Sequence, residues 1–309
     1  MHWLVPLAAT GLMAGCAADP FRSVSGIPSN SAIEIANTAF FPQEAYQCGP
    51  AALATVLQTS GVAVVPDELV PLVYIPERGG SLQAEIIAAA RTFGRIPYVL
   101  EPAFAALLRE LDGGRPVLVL QNLGVSFAPA WHYAVVIGYS SIDGEIILRS
   151  GTTRRLVQPA RTFASTWRRS DNWGVVLLPA DDVPAGIDRQ RYLAAVAAAE
   201  SAQQYELAFE AYTAATTRWP DEPLAPLGIG NIHYARGELV AAELWYRRVL
   251  EIEARHPVAM NNLASVLMAR GACDEASAII DDALALQPAG SPYLDMLKAT
   301  GAETCHRGL

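Results

Sequence analysis

The sequence predicts an α+β domain followed by an all-α solenoid of stacked helix pairs. Helical segments fill residues 48–111 and strand-like runs fill residues 117–178, which is the α+β pattern. Beyond Pro184 a period of 34 residues sets in, the length of one helix-turn-helix unit. At 309 residues, 52% hydrophobic and 17% charged, the chain suits two globular domains, each with a core of its own.

The first helix is expected over 50–61, because Pro50 suits a first helical turn and Gly61 an end. Cys48 then stands at a helix N-terminus, where unpaired backbone N–H groups and the helix dipole favour a thiolate. A second helix is expected over 81–93, with alanine and isoleucine recurring on one face and Gly94 as its stop. A third, over 102–111, ends at Gly113-Gly114. Strands are expected over 117–120, 132–139, 145–149 and 173–178, with Asp143-Gly144 turning the hairpin between the second and third.

In the C-terminal part Ala208, Ala242 and Ala276 are spaced by 34, as are Tyr212 with Tyr246 and Gly237 with Gly271. Alanine lets two helices approach closely, and glycine ends the first helix of a pair. These residues resemble tetratricopeptide repeats, three of them, beginning near Arg189, Leu224 and Val258. The expected domains are 34–183 and 188–291, followed by a C-terminal tail over 292–309.

The formal net charge of −9 is concentrated in residues 181–309, with 18 acidic against 10 basic side chains. No basic footprint for nucleic acid is present. No His, Cys or carboxylate cluster has metal-ligand spacing, so no cofactor or metal is expected. Neither Gly79-Gly80-Ser81 nor Gly113-Gly114 has the lysine or the spacing of a phosphate loop.

Residues 1–16 are an apolar stretch too short to cross a bilayer, ending Ala14-Gly15-Cys16. This resembles a bacterial lipoprotein signal, although its only basic group before the apolar run is His2. The resemblance implies cleavage before Cys16, lipidation of Cys16, and a tether over the small, proline-punctuated residues 17–33. Ala17 in place of aspartate implies, in the enterobacterial sorting pattern, the outer membrane facing the periplasm. With Cys16 lipidated and Cys48 reactive, Cys273 and Cys305 remain as a candidate disulfide in an oxidising compartment, with two free thiols as the alternative.

Between the signal and residue 180 the chain has one cysteine, Cys48, and one histidine, His132. A nucleophilic cysteine needs a base within hydrogen-bond reach and a group to stabilise an oxyanion, and His132 is the one imidazole this domain offers. Three segments carry a resemblance to the papain-like, double-glycine type of bacterial cysteine peptidase: Gln43, then Cys48-Gly49-Pro50-Ala51-Ala52-Leu53, and His132-Tyr133-Ala134-Val135-Val136 with Gly138-Tyr139. It covers about residues 38–180. It implies Cys48 as nucleophile, His132 as base and later acid, and Gln43 as an oxyanion donor, five residues before the cysteine where six is usual and with Gln47 adjacent.

The family's imidazole-orienting aspartate has no counterpart. If the hairpin turns around Ser141-Ile142, the residue opposite His132 falls near Ser150-Gly151, which leaves Ser150 as one candidate orienter and Asn122 on the preceding strand as another.

The function expected is thiol-dependent peptide-bond cleavage by a lipid-anchored, exported enzyme whose repeats recruit a peptide or protein, basic segments being favoured by their acidity. Two other readings stay open: a peptidase fold kept as a binding adaptor, and acyl or amide transfer from a Cys48 thioester.

Overall fold

The computed structural model describes residues 19–24, 30–42, 48–303 and 305. Strands β1 (Ala32–Glu34), β2 (Arg95–Val99), β3 (Val117–Asn122), β4 (Trp131–Ser140), β5 (Glu145–Ser150), β6 (Thr153–Pro159) and β7 (Gly174–Pro179) form one antiparallel sheet. Its order is β2-β7-β3-β4-β5-β6, with β1 pairing the far end of β4. β1 comes so close to Gly138 that a Cβ there would lie 2.2 Å from the Ile33 carbonyl oxygen, so only glycine fits. Beside it the β4–β5 register shifts between Val136 and Gly138.

Helices α1 (Cys48–Thr59), α2 (Pro66–Val73) and α3 (Gln83–Thr92) cover one face, packing Leu53, Leu57 and Ile86 against Leu120, Tyr133 and Val135. Helices α4 (Phe104–Asp112) and α5 (Ala160–Arg168) cover the other, where Val119, Ala134 and Val136 meet Leu107, Phe163 and Trp167. The alternation of β4 between these two cores is the period-2 pattern of a strand buried on both sides. Three strands and two helices of this domain go beyond the sequence-based expectation: β1, β2, β6, α2 and α5. β2 carries Pro97, which a ladder tolerates at an edge, and β2 is an edge strand.

The solenoid has three helix pairs: α6 (Arg189–Ser201) with α7 (Tyr205–Arg218), α8 (Leu224–Ala235) with α9 (Leu239–Ile252), and α10 (Pro257–Ala269) with α11 (Cys273–Ala285). A last helix, α12 (Leu294–Gly301), covers the end. The recurrent alanines Ala208, Ala242 and Ala276 are buried where the helices of each pair meet. Cys273 and Cys305 form a disulfide across 32 residues, tying the chain beyond α12 to the start of α11.

A left-handed residue closes the first helix of each pair: Gln203 (φ 60°), Gly237 (φ 74°) and Gly271 (φ 81°). Only the first repeat puts a side chain there, a conformation that costs an L-residue about 1 kcal/mol. Gln203→Gly is expected to raise stability by about that amount, read as a higher denaturant midpoint at unchanged slope.

Two expectations need correction. The two cores are not wholly separate: Tyr98 of β2 and Leu100 share one cluster with Val183, Ile187, Tyr192 and Leu193, and the Asp188 N–H donates to the Tyr98 hydroxyl at 3.3 Å. Apolar residues on both sides of Pro184 make burial more favourable than a solvated linker. Residues 17–33 are likewise not a free tether throughout. Pro20–Ser23 form a 3-10 turn whose Phe21 is buried against Phe104 and Tyr139, with ring centroids at 5.3 and 5.7 Å. The expected signal with Cys16 lies outside the described residues.

Candidate active site

Cys48 is the first residue of α1 and is half-buried. The helix is anchored by its apolar face, Leu53, Val56 and Leu57, so the cysteine is carried on a rigid element. Next to it, Gly49 is required sterically: a Cβ at this position would sit 2.2 Å from Ser81 Oγ. The first-turn N–H groups of such a helix lack intrahelical partners and face a developing negative charge favourably.

His132 enters from the start of β4, fixed between β3 and β5. Its Nε2 lies 2.9 Å from Ser150 Oγ. By register Ser150 sits two residues off the position opposite His132, a diagonal neighbour on the same face, because the bulge shifts the hairpin by one and the turn spans 141–144. This leaves Nδ1 as the ring nitrogen available to a thiol. Burial pushes the His132 pKa down from the ordinary histidine value, and among the described residues no carboxylate opposes that shift. A serine hydroxyl can donate or accept, so it holds the ring without selecting a tautomer as a carboxylate does.

Asn122 does not orient the imidazole. It pairs with Trp131, while Gln121 pairs with His132, so Asn122 faces the other side of the sheet. Its carboxamide oxygen instead accepts the N–H groups of Gly124 and Ala130, both at 3.0 Å, shaping the β3–β4 turn. Gln121 donates to Thr166 Oγ1 at 2.6 Å. Gln43 and its neighbour Gln47 lie outside the described residues.

Cys48 and His132 line one cavity of about 890 Å³. Trp131, Tyr133, Gly80 and Ser81 form further parts of its wall, with the charged Arg78, Arg169 and Asp171 also lining it. The Tyr133 hydroxyl donates to the Ser81 carbonyl at 3.4 Å. Burial, then the negative charges of Cys48 and Glu85, raise the Tyr133 phenol well above its usual range, so it remains a hydrogen-bond donor. Ser81 and Gly80 were not recognisable as site residues from sequence. The signal available was the glycine pair before a helix, which the phosphate-loop test discards.

Residues 35–174 match the model described as Peptidase_C39 like family. This domain is peptidase C39-like. Residues 192–257 and 258–287 match models described as tetratricopeptide repeat, so the solenoid consists of such repeats. No curated protein matches the chain. Among solved structures, a C39-like peptidase from Bacillus anthracis shares 15% identity over 48% of this chain and 98% of its own, at a TM-score of 0.41. The peptidase domain of Streptococcus ComA, a bi-functional ABC transporter, shares 22% over 46% and 99%, at a TM-score of 0.38. The Yersinia enterocolitica type III secretion translocator chaperone SycD shares 18% over 36% and 90%, at 0.32. TM-scores this low leave these likenesses without weight beyond the family matches.

Proposed function

We propose that this protein is a cysteine peptidase in which Cys48 attacks a peptide carbonyl and His132 takes the thiol proton and hands it to the departing amine. The resulting thioester is hydrolysed by water activated by the same imidazole. The observation that carries the reading is the pairing of Cys48 at a helix N-terminus with His132, held by Ser150, in one cavity. Ser150 acts as a positioning residue: it fixes the ring through Nε2 and turns Nδ1 to the thiol. His132 works as the general base that removes the thiol proton.

The pH dependence follows in sign. A folded-state histidine pKa below the ordinary value of about 6.5 keeps the base neutral as pH falls past that value. The acid limb of kcat/KM is therefore expected below pH ~6.5. Its measurement on any cleaved peptide checks this; a limb above that value would mean the imidazolium is stabilised by a group other than Ser150.

The repeats are proposed to recruit the peptide or protein substrate, or a partner. Support comes from their fusion to the peptidase core through Tyr98 and Tyr192, which holds the two modules in fixed relation. Export and lipid anchoring at Cys16, with an envelope location facing the periplasm, are proposed from the sequence, and the Cys273–Cys305 disulfide suits an oxidising compartment. The second reading, a peptide-binding adaptor without turnover, is favoured by one observation: Ser150 stands where an imidazole-orienting carboxylate would strengthen the base.

A further inference from the structure

Between Asn122 and His132 the chain runs through residues 123–131 without a charge, and this β3–β4 hairpin turns its large side chains outward. Phe127 is 93% exposed, Trp131 54%, Leu123 53% and Val125 45%. A single exposed apolar residue is ordinary, but four in one hairpin form a patch that a partner covers.

The hairpin cannot fold over to hide them, because its main chain is fixed. The Leu123 N–H donates to the Ala130 carbonyl at 2.8 Å, and Val125 and Ala128 exchange both bonds at 3.1 Å around the tip, Ser126-Phe127. Arg169 donates to the carbonyls of Asn122 and Gly124. A Cβ on Gly124 would lie 2.3 Å from the Ala128 carbonyl oxygen, so the two arms are closed on each other. Together with the N–H groups of Gly124 and Ala130 that bond Asn122 Oδ1, these contacts satisfy the backbone on both sides of the tip from within the chain. Entry into hydrocarbon sets that same condition.

The surroundings supply an independent sign. Four exposed arginines stand at this end of the sheet: Arg154 at the start of β6, Arg168 and Arg169 at the end of α5, and Arg78 on the cavity. They outnumber the carboxylates next to them, Glu77 and Asp171, in a chain whose net charge is −9. An apolar, aromatic tip inside a ring of arginines complements a bilayer with anionic headgroups, the rings at the interface and the guanidinium groups among the phosphates. To a protein partner the hairpin offers little to bond, Ser126 being its one hydroxyl.

We propose that the 123–131 hairpin enters the interface of an anionic lipid bilayer, Phe127 leading and Leu123, Val125 and Trp131 behind it. The contact is separate from any acyl chain at Cys16, because Phe21, the buried residue nearest that cysteine in the described chain, sits on Tyr139 at the other end of β4. Trp131 also lines the cavity of Cys48, so the cavity opens beside the membrane. No step of the cysteine chemistry enters this inference, and it stands or falls apart from that reading.

The test measures co-sedimentation with vesicles of phosphatidylcholine and phosphatidylglycerol in a two-to-one ratio, and with phosphatidylcholine alone. The protein is the chain from Ala17 onward, which keeps every described residue and lacks the apolar stretch and Cys16. It is expected to bind the mixed vesicles, and Phe127→Ser to weaken that binding about ten- to a hundredfold, the transfer of one phenyl ring. Arg154→Gln and Arg168→Gln should each weaken it about fivefold, on the mixed vesicles only. Unfolding midpoints should not move, since all three side chains are exposed. Cys48→Ala should bind as the native chain does, so failure of the peptidase reading leaves the result untouched. Absence of binding to the mixed vesicles overturns the inference, as does binding that Phe127→Ser leaves unchanged. If the chain instead self-associates without lipid and Phe127→Ser abolishes that, the hairpin belongs to a second copy and the lipid contact falls.

Discussion

Cys48→Ala abolishes peptide cleavage, lowering kcat by on the order of 10⁴- to 10⁶-fold, and His132→Ala does nearly the same. The losses are expected not to add, because nucleophile and base act as one unit and either deletion stops the same step. Neither change should unfold the chain. His132 is hydrogen-bonded through its ring to Ser150 and stands at the start of β4, and Cys48 opens α1 ahead of the buried Leu53 and Leu57. A midpoint shift worth about 1 kcal/mol or less is expected for each, by thermal unfolding. If both variants keep native cleavage rates, the activity belongs to other residues; if neither they nor the native protein cleave any peptide while the fold is intact, the adaptor reading is correct.

Ser150→Asp raises activity. The carboxylate would take the place of a neutral hydroxyl 2.9 Å from His132 Nε2, select the tautomer with Nε2 protonated, and stabilise the imidazolium that forms during attack. Losing such an aspartate costs a serine protease about 10⁴ in rate, so restoring one in a frame evolved around serine is expected to gain about ten- to a hundredfold in kcat. The position is partly solvent-accessible, which allows the charge to be hydrated before substrate binds. The same change reverses the direction of the His132 shift. In a Cys48→Ala background, where the thiol no longer couples to the ring, proton NMR should show His132 titrating below about 6.5 with Ser150 and above it with aspartate. An imidazole pKa that ignores residue 150 would remove Ser150 from the site.

Much of this frame was legible in the sequence, for reasons that can be named. Pro50 and Gly61 marked α1 to within two residues and apolar runs marked β4, so the elements that carry Cys48 and His132 were legible, while their pairing rested on their being the domain's one cysteine and one histidine and on the family resemblance. The repeats were legible because Ala208, Ala242 and Ala276 keep their spacing through two full periods. Ser150 was reached by counting across a hairpin, but the turn spans 141–144 instead of centring on Ser141-Ile142, which leaves Ser150 at a diagonal position even after the bulge beside Gly138 gives one residue back. Beside that bulge β1 lies across Gly138, a contact between residues about a hundred apart that no local pattern encodes.

Other features failed for equally physical reasons. β6 carries Arg154 and Arg155 side by side with no alternation, because it is an exposed edge. Asn122 was a plausible orienter by strand order, but one residue of register decides which face a side chain takes, and it takes the face away from His132. The cluster joining Tyr98 to Tyr192 was hidden because aromatic residues near a linker read equally well as two separate cores.

The central claim is that Cys48 and His132 work as one unit, and the most direct measurement is the pH dependence of Cys48 alkylation in the native protein and in His132→Ala. The expected result is a rate that persists well below the ~8.5 of a free thiol and collapses, across the neutral range, when His132 is removed. A profile that follows an ordinary thiol and is the same in both proteins would contradict it.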